Sequence, residues 1–312
     1  MIIVTGGAGF IGSQIIRHLN QQGITNILVV DRMGTSNKYR NLVGLSFSDY
    51  VDKDTFIEHL NTLAAGATTV FHQGACSSTI ETDGTYMMAN NYTYSKRLLA
   101  WCLEHTVDFL YASSASVYGH GVQGFTETLA SESPLNVYGF SKWVFDQHVR
   151  TQLVHQPTSQ ILGLRYFNVF GPGEGHKGAM ASVVHHFFER LQTDKVLALF
   201  EGSREFLRDF IYIDDVVAIN QYFYQSRQSG IVNCGTGKAR SFYDLACAMQ
   251  TIISDARLEF IPFPEHLAGK YQAYTEADCT QLRQFGCQHR GLDIETAVKR
   301  YYQQLKQGDT HG

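Results

Sequence analysis

The chain has 312 residues, 44% of them hydrophobic, and its 25 basic and 29 acidic side chains leave a net charge of −4. That length supports one large or two small domains. Basic residues scattered along the chain argue against nucleic acid or an anionic membrane surface as a partner, and no apolar run approaches the ~20 residues needed to span a bilayer.

The amino terminus passes from Met1 directly into an apolar strand with no basic leader, which predicts a cytoplasmic protein. Six cysteines without a CxxC pair read as reduced thiols, not a disulfide frame or a zinc site. Apolar β-like runs are expected at 1–6 (MIIVTG), 27–31 (ILVVD), 68–74 (TTVFHQG), 108–114 (DFLYASS) and 160–168 (QILGLRYFN). Between them GSQIIRHLNQQG, DKDTFIEHLNTLAAG and NNYTYSKRLLAWCLEH repeat apolar residues at three- and four-residue spacing, the period of a helix. Alternating helices and fully apolar strands predict an α/β fold with a parallel sheet covered on both faces. Beyond about residue 170 the pattern loosens. KVLALFEG, DFIYIDD, GIVNCGTG and RLEFIPF read as short strands of a smaller mixed α/β region, and with no linker some later segments are expected to return to the first.

The stretch VTGGAGFIGSQII sets Gly6, Gly9 and Gly12 where the first strand turns into a helix, and Gly7, Gly9 and Gly12 also satisfy G-x-G-x-x-G. Glycine is needed there for a tight turn and for close approach of backbone to a pyrophosphate resting on the helix N-terminus. The second strand ends in Asp31, 19 residues past Gly12, where an acidic residue meets an adenosine ribose. The expected fold is therefore a Rossmann-type doubly wound sheet: a dinucleotide-binding domain over 1–167 and a mainly substrate-binding region over 168–312. Asp31 alone favours NAD. Arg32 and Lys38 beside it favour NADP, since cations there can hold a 2′-phosphate; solvated loop charges are the alternative reading.

In PLNVYGFSKW, Tyr138 and Lys142 stand at i and i+4, on one helix face. The fourth strand ends in YASSASVYG, which supplies Ser113, Ser114 and Ser116. Removing hydride from an alcohol requires a base for the hydroxyl proton, and a free tyrosine, with a pKa of about 10, is too weakly basic near neutrality. A lysine ammonium one turn away stabilises the phenolate, and a serine hydroxyl orients the substrate oxygen.

With these motifs the chain resembles the extended short-chain dehydrogenase/reductase family, which includes nucleotide-sugar epimerases and dehydratases. The resemblance runs over essentially the whole chain, through TGGAGFIG, VFHQGACSS, NNYTYSKRLL, YGFSK, RYFNVFGP and RDFIYIDD. HQGACSST, LNVYGFSKW, GPGEGHKGAMASV, LFEGS and GKYQAYTEADC are similar to the branch that inverts C6 of an ADP-heptose in lipopolysaccharide inner-core synthesis. The resemblance implies Ser114, Tyr138 and Lys142 as catalytic residues, with one NADP per subunit. It implies cofactor contacts at the glycine loop (Gly6, Gly9, Phe10, Ile11, Gly12), at Asp31, Arg32, Lys38 and Lys53, at Gln73, Gly74, Ala75, Cys76 and Ser77, and at Asn90, Lys142 and Val169. It implies ADP-sugar contacts at Ser114, Asn168, Ala179, His186, Phe200, Glu201, Gly202, Ser203, Arg208 and Tyr271. Arg208 suits a pyrophosphate clamp because guanidinium pairs bidentately with phosphate. Ala179 stands where a serine is usual, so a contact there falls to backbone. A homo-oligomer is implied, with a pentamer as the candidate assembly, and no metal.

Inverting a secondary alcohol by transient oxidation requires hydride to return to the opposite face of the carbonyl. At the exocyclic C6 a half-turn about C5–C6 carries the oxygen away from Tyr138, so a second acid/base is needed within roughly 3 Å of where it arrives. Lys177, in the glycine-bounded GPGEGHKGAMA, matches the family's second acid/base; a loop cation for phosphate or solvent is the alternative. Other readings are a nucleotide-sugar 4-epimerase, a dehydratase, and a non-catalytic NADP-binding sensor or scaffold. Ala115 and Ser116 after Ser114 argue against elimination, because a dehydratase carries acidic residues there.

Overall fold

A computed structural model of the chain describes residues 1–264 and 272–308. Among the described residues twelve strands form: β1 (Ile2–Thr5), β2 (Ile27–Asp31), β3 (Asp49–Asp52), β4 (Thr69–His72), β5 (Asp108–Ser114), β6 (Ile161–Tyr166), β7 (Asn168–Phe170), β8 (Val196–Phe200), β9 (Leu207–Tyr212), β10 (Gly230–Cys234), β11 (Ala239–Ser241) and β12 (Arg257–Ile261). Seven make one sheet in the order β10-β6-β5-β4-β1-β2-β3, and every pairing in it is parallel. Successive strand residues point to opposite faces. Val4, Val29, Phe71 and Leu110 therefore enter one core, and Ile3, Val30, Val70 and Phe109 the other. This is the doubly wound architecture that the apolar runs predict.

Strand order reverses between β1 and β4, so the crevice at their carboxyl ends is the place where such sheets bind ligands. Two smaller sheets flank it: β7 and β11 on either side of β9, and the parallel pair β8 and β12. No helix among the described residues is long and apolar enough to cross a membrane.

Three expectations change. The run QILGLRYFN divides at Phe167: β6 stays in the main sheet while β7 leaves to pair with β9. DFIYIDD is strand only through Tyr212, and its last three residues open the helix Ile213–Ser226. Asp214 and Asp215 occupy that helix's first turn, where the dipole favours carboxylates. GIVNC, expected in the second region, is β10 and closes the main sheet beside β6.

Candidate active site

The glycine loop is built by contact. Gly6 has φ +66°, and a Cβ there would lie 2.6 Å from the Gly74 nitrogen. A Cβ on Gly12 would lie 2.3 Å from the Gly6 oxygen. Neither position admits another residue without moving backbone. The helix Phe10–Gln21 begins after Gly9 with no side chain capping it, which leaves its first amides to a ligand. Asp31 supports this loop directly: Oδ2 accepts the Ala8 N–H at 2.9 Å, while Oδ1 accepts Lys38 Nζ at 2.6 Å and the Arg32 N–H at 2.7 Å.

Beside Asp31 a cavity of about 180 Å³ is lined by Arg32, Lys38, Lys53 and Asn90, with Gly74, Ala75 and Cys76 on its far wall. Arg32 pairs with Asp54, which Lys53 also reaches at 2.7 Å. Hydrogen bonds from Lys53 and Arg32 hold the Asp54 carboxyl below its ordinary range. These pairs are half-exposed, worth about 0–1 kcal/mol, and a stronger anion can displace them.

The main cleft, about 720 Å³, runs from the glycine loop past the ends of β4 and β5 to the loop after β7. Asn136 caps the helix Val137–Leu153, accepting the Gly139 N–H at 2.8 Å. A Cβ on Gly139 would sit 2.8 Å from the Ser116 oxygen, so glycine lets this helix end approach the serine loop. Tyr138 then hydrogen-bonds Ser114. Burial pushes the Tyr138 phenol above its ordinary value, and the Ser114 bond pulls it back. Burial brings the Lys142 ammonium down to about 8, opposed by Asp146 one turn on. Its Nζ donates to the Ala112 carbonyl at 2.7 Å. Of the three serines, Ser113 is committed to Asp146 at 2.9 Å, and Ser116 Oγ finds no partner among the described residues. Arg165, fully buried, also holds Asp146, with Nε at 2.9 Å.

Lys177 enters the same cleft from the short helical turn Gly175–Met180, its Nζ 5.7 Å from the Phe10 ring centre. Burial lowers its pKa and Glu174 opposes the change. The loop is fastened to the cofactor half: Gln14 Nε2 donates to the Pro172 carbonyl at 3.1 Å, and Asn41 Nδ2 donates to the carbonyls of Ala8 and Gly173, both at 3.0 Å.

Gly6, Gly9, Phe10, Ile11, Gly12, Asp31, Lys38, Gln73, Gly74, Ala75, Cys76, Ser77, Asn168 and Val169 line this cleft with Ser114, Tyr138, Lys142 and Lys177. Other expected residues do not line it. Ala179 is exposed, and His186 lies beside Glu189 at 3.3 Å. Phe200, Glu201, Gly202 and Ser203 lie at the end of β8, with Ser203 buried. Arg208 is buried on β9, bonded to its neighbour's carbonyl and 5.6 Å from the ring centre of Phe242, which does line the cleft. Tyr271 falls outside the described residues. Sequence reasoning missed the cleft residues Ser78, Thr79, Met180, Phe210 and Phe242. Ser78 and Thr79 are the last two residues of the quoted HQGACSST, so carrying the contacts past Ser77 to the end of that motif finds them.

The model of the NAD dependent epimerase/dehydratase family matches residues 2–235. ADP-L-glycero-D-manno-heptose-6-epimerase of Brachyspira hyodysenteriae is 49% identical over 311 residues, 98% of each chain. The crystal structure of ADP-L-glycero-D-manno-heptose-6-epimerase from Helicobacter pylori is 31% identical, with a TM-score of 0.86 over 98% of this chain and 96% of that one. A Thermotoga maritima UDP-glucose 4-epimerase shares the fold at 24% identity, with a TM-score of 0.83 over 98% and 99% of the two chains. A dinucleotide crevice at the strand reversal, a Ser–Tyr–Lys set beside it and a family match across three quarters of the sequence agree: the chain belongs to the NAD dependent epimerase/dehydratase family.

Proposed function

We propose that this protein interconverts the C6 epimers of an ADP-glycero-manno-heptose with a tightly bound NADP. The observation that carries the reading is the meeting of Ser114, Tyr138, Lys142 and Lys177 in one cleft, in a chain 49% identical to a protein named as that epimerase.

The residues fit a dinucleotide. Backbone crowding at Gly6 and Gly12 brings uncapped helix amides to the cleft, and the buried Nε2 of Gln73 has no partner among the described residues. Gly9 through Gly12 would take the pyrophosphate, and Lys142 the nicotinamide ribose. Arg32, Lys38 and Lys53 around one small cavity support the 2′-phosphate, hence NADP. When bound, the nicotinamide supplies a sink and a source of hydride.

The rest is done by side chains of this chain. Tyr138 Oη takes the C6 hydroxyl proton. With a pKa of about 8, Lys142 is roughly nine-tenths charged at pH 7, and its ammonium stabilises the phenolate. Ser114 donates toward the same oxygen and holds it in register. After the half-turn about C5–C6, Lys177 Nζ meets the oxygen on the other side, and its lowered pKa eases the proton transfer. The test is to add ADP-D-glycero-D-manno-heptose to purified protein and follow formation of the L-glycero epimer by NMR. Mass spectrometry of the denatured supernatant identifies the cofactor. No epimerisation, or NAD alone in the supernatant, contradicts the corresponding half of the proposal.

A further inference from the structure

Glu174 is fully buried between two glycines, and the mechanism above does not use it. Its Oε1 accepts the Gly171 N–H at 3.0 Å and Ser182 Oγ at 2.8 Å, and its Oε2 accepts the Ser182 N–H at 2.5 Å. Gly171 and Ser182 are the two ends of the loop that carries Lys177, so one carboxylate closes it. The Tyr301 hydroxyl, on the carboxyl-terminal helix Ile294–Gly308, donates to Glu174, and His185 Nδ1 lies 3.0 Å from the same hydroxyl. These neighbours all present donors, which suits a group that only accepts. The Glu174 carbonyl also accepts the Lys177 N–H at 2.9 Å.

Those donors call for an acceptor at both oxygens, which a carboxylate supplies and an amide does not, and burying the charge is still costly. The charge finds its use in Lys177, whose ammonium Glu174 stabilises against burial. Tyr301 in turn feels Glu189 on the helix Val183–Thr193 and Tyr212 at the end of β9, with His185 against its hydroxyl, and His176 stands two residues from Glu174 on the loop. Lys38 and Asp31 face His176 from the cofactor side.

We infer that Glu174 is a positioning residue for Lys177, holding both ends of the loop and supplying the negative charge that the ammonium faces. The inference rests on the reading of Lys177 as second acid/base. In Glu174→Gln the outline is kept, the charge is removed and one acceptor becomes a donor. Epimerisation should fall about 10-fold or more, and the ionisation due to Lys177 in the pH profile of kcat should move to lower pH. The half-reaction that needs only Tyr138, measured as hydride exchange with an ADP-hexose bearing a C6 aldehyde, should stay near the wild-type rate. Glu174→Asp should return the ionisation toward its wild-type position. An unmoved pH profile in Glu174→Gln, whatever the rate, overturns the inference.

Lys177→Met separates the two claims. If it epimerises at near wild-type rate, the reading of Lys177 fails. If it is inactive while Glu174→Gln keeps the wild-type profile, only the positioning role fails. Should Glu174→Gln not fold, Tyr301→Phe carries the test. It removes one donor and leaves the carboxylate charge less dispersed, so the same ionisation should move to higher pH. An unchanged profile there overturns the inference.

Discussion

The two acid/base groups are mounted differently. Tyr138 stands on the first turn of a 17-residue helix, capped by Asn136 and packed on the main sheet, with Lys142 one turn further on. Lys177 stands on a single tight turn broken at Gly178, where φ is 52° and ψ −129°. Its place is set by Gln14, Asn41 and Glu174, polar ties from three parts of the chain. Helix periodicity and a core position the first group. Individual hydrogen bonds position the second. A residue held in this way can be loosened without unfolding the domain, and that makes the comparison testable.

The largest effects should come from the two groups themselves. Tyr138→Phe and Lys177→Met should each lower epimerisation by roughly 10²–10⁴-fold, the range for losing acid/base catalysis. They should differ in what survives. Lys177→Met keeps hydride exchange with a C6-aldehyde analogue, whereas Tyr138→Phe loses it. Equal loss in both variants would mean that the mountings do not correspond to separate chemical roles. In D₂O the product should carry no deuterium at C6, because the same cofactor takes and returns that hydrogen. Label at C6 or C7 would indicate enolisation and end the direct-oxidation mechanism.

The rigid mounting carries a stability cost. Lys142 is buried with its pKa brought down to about 8, while an unfolded lysine titrates near 10.4. Between those values the unfolded chain binds the proton that the folded chain lacks, so stability rises with pH from about 8 to 10.4 and is lowest below 8. The integrated difference is about 3 kcal/mol. Lys142→Met should therefore unfold at higher denaturant than wild type at pH 7, with the gap narrowing by pH 10. Cofactor-free protein gives the measurement. A gap independent of pH would mean that burial does not perturb this lysine.

The same difference in mounting governs what the sequence discloses. β1, β2, β4, β5 and β6 are apolar runs because sheet and helices cover both faces. β3, DYVD, is an edge strand with half-exposed side chains, so it leaves no apolar run to read. Tyr138 and Lys142 declare themselves by four-residue spacing. Asn41 and Glu174 do not: Asn41 reaches 132 residues along the chain to the Gly173 carbonyl, and Glu174 closes its loop in part through the Gly171 and Ser182 backbone amides, groups that any sequence provides. The ADP-sugar contacts came from resemblance alone, and the group at the end of β8 stands away from the cleft lining. Phe210 and Phe242 line it instead, brought there by β9 and the helix after β11.

A smaller effect is expected at the cofactor end. Arg32→Asn removes one of three cations from the cavity beside Asp31 while leaving Lys38 on Asp31. NADP affinity should fall about 10-fold, the scale of one charge-assisted bond, with NAD affinity nearly unchanged. Equal losses measured by calorimetry would remove Arg32 from 2′-phosphate recognition.

The smallest effect isolates a single tie to the Lys177 loop. Asn41 Nδ2 bridges the Ala8 carbonyl of the glycine loop and the Gly173 carbonyl, each at 3.0 Å. Gly173 has φ +99°, and a Cβ there would meet Asn41 Oδ1 at 3.3 Å, so glycine both permits that backbone and leaves room for the bridge. Asn41→Ala removes two neutral hydrogen bonds worth about 1 kcal/mol each, and Gln14 still holds Pro172. Only the part of that loss felt at Lys177 should appear in the rate, a fall in kcat of about 3- to 10-fold with KM for the ADP-sugar nearly constant. Hydride exchange with the aldehyde analogue should be untouched, since the Tyr138 helix does not depend on this bridge. Gln14→Ala in the same background should cost more than the sum of the single variants, because each tie limits what loss of the other can do. If exchange and inversion fall together in Asn41→Ala, the bridge supports the cofactor loop through Ala8, and the Lys177 loop stands without it.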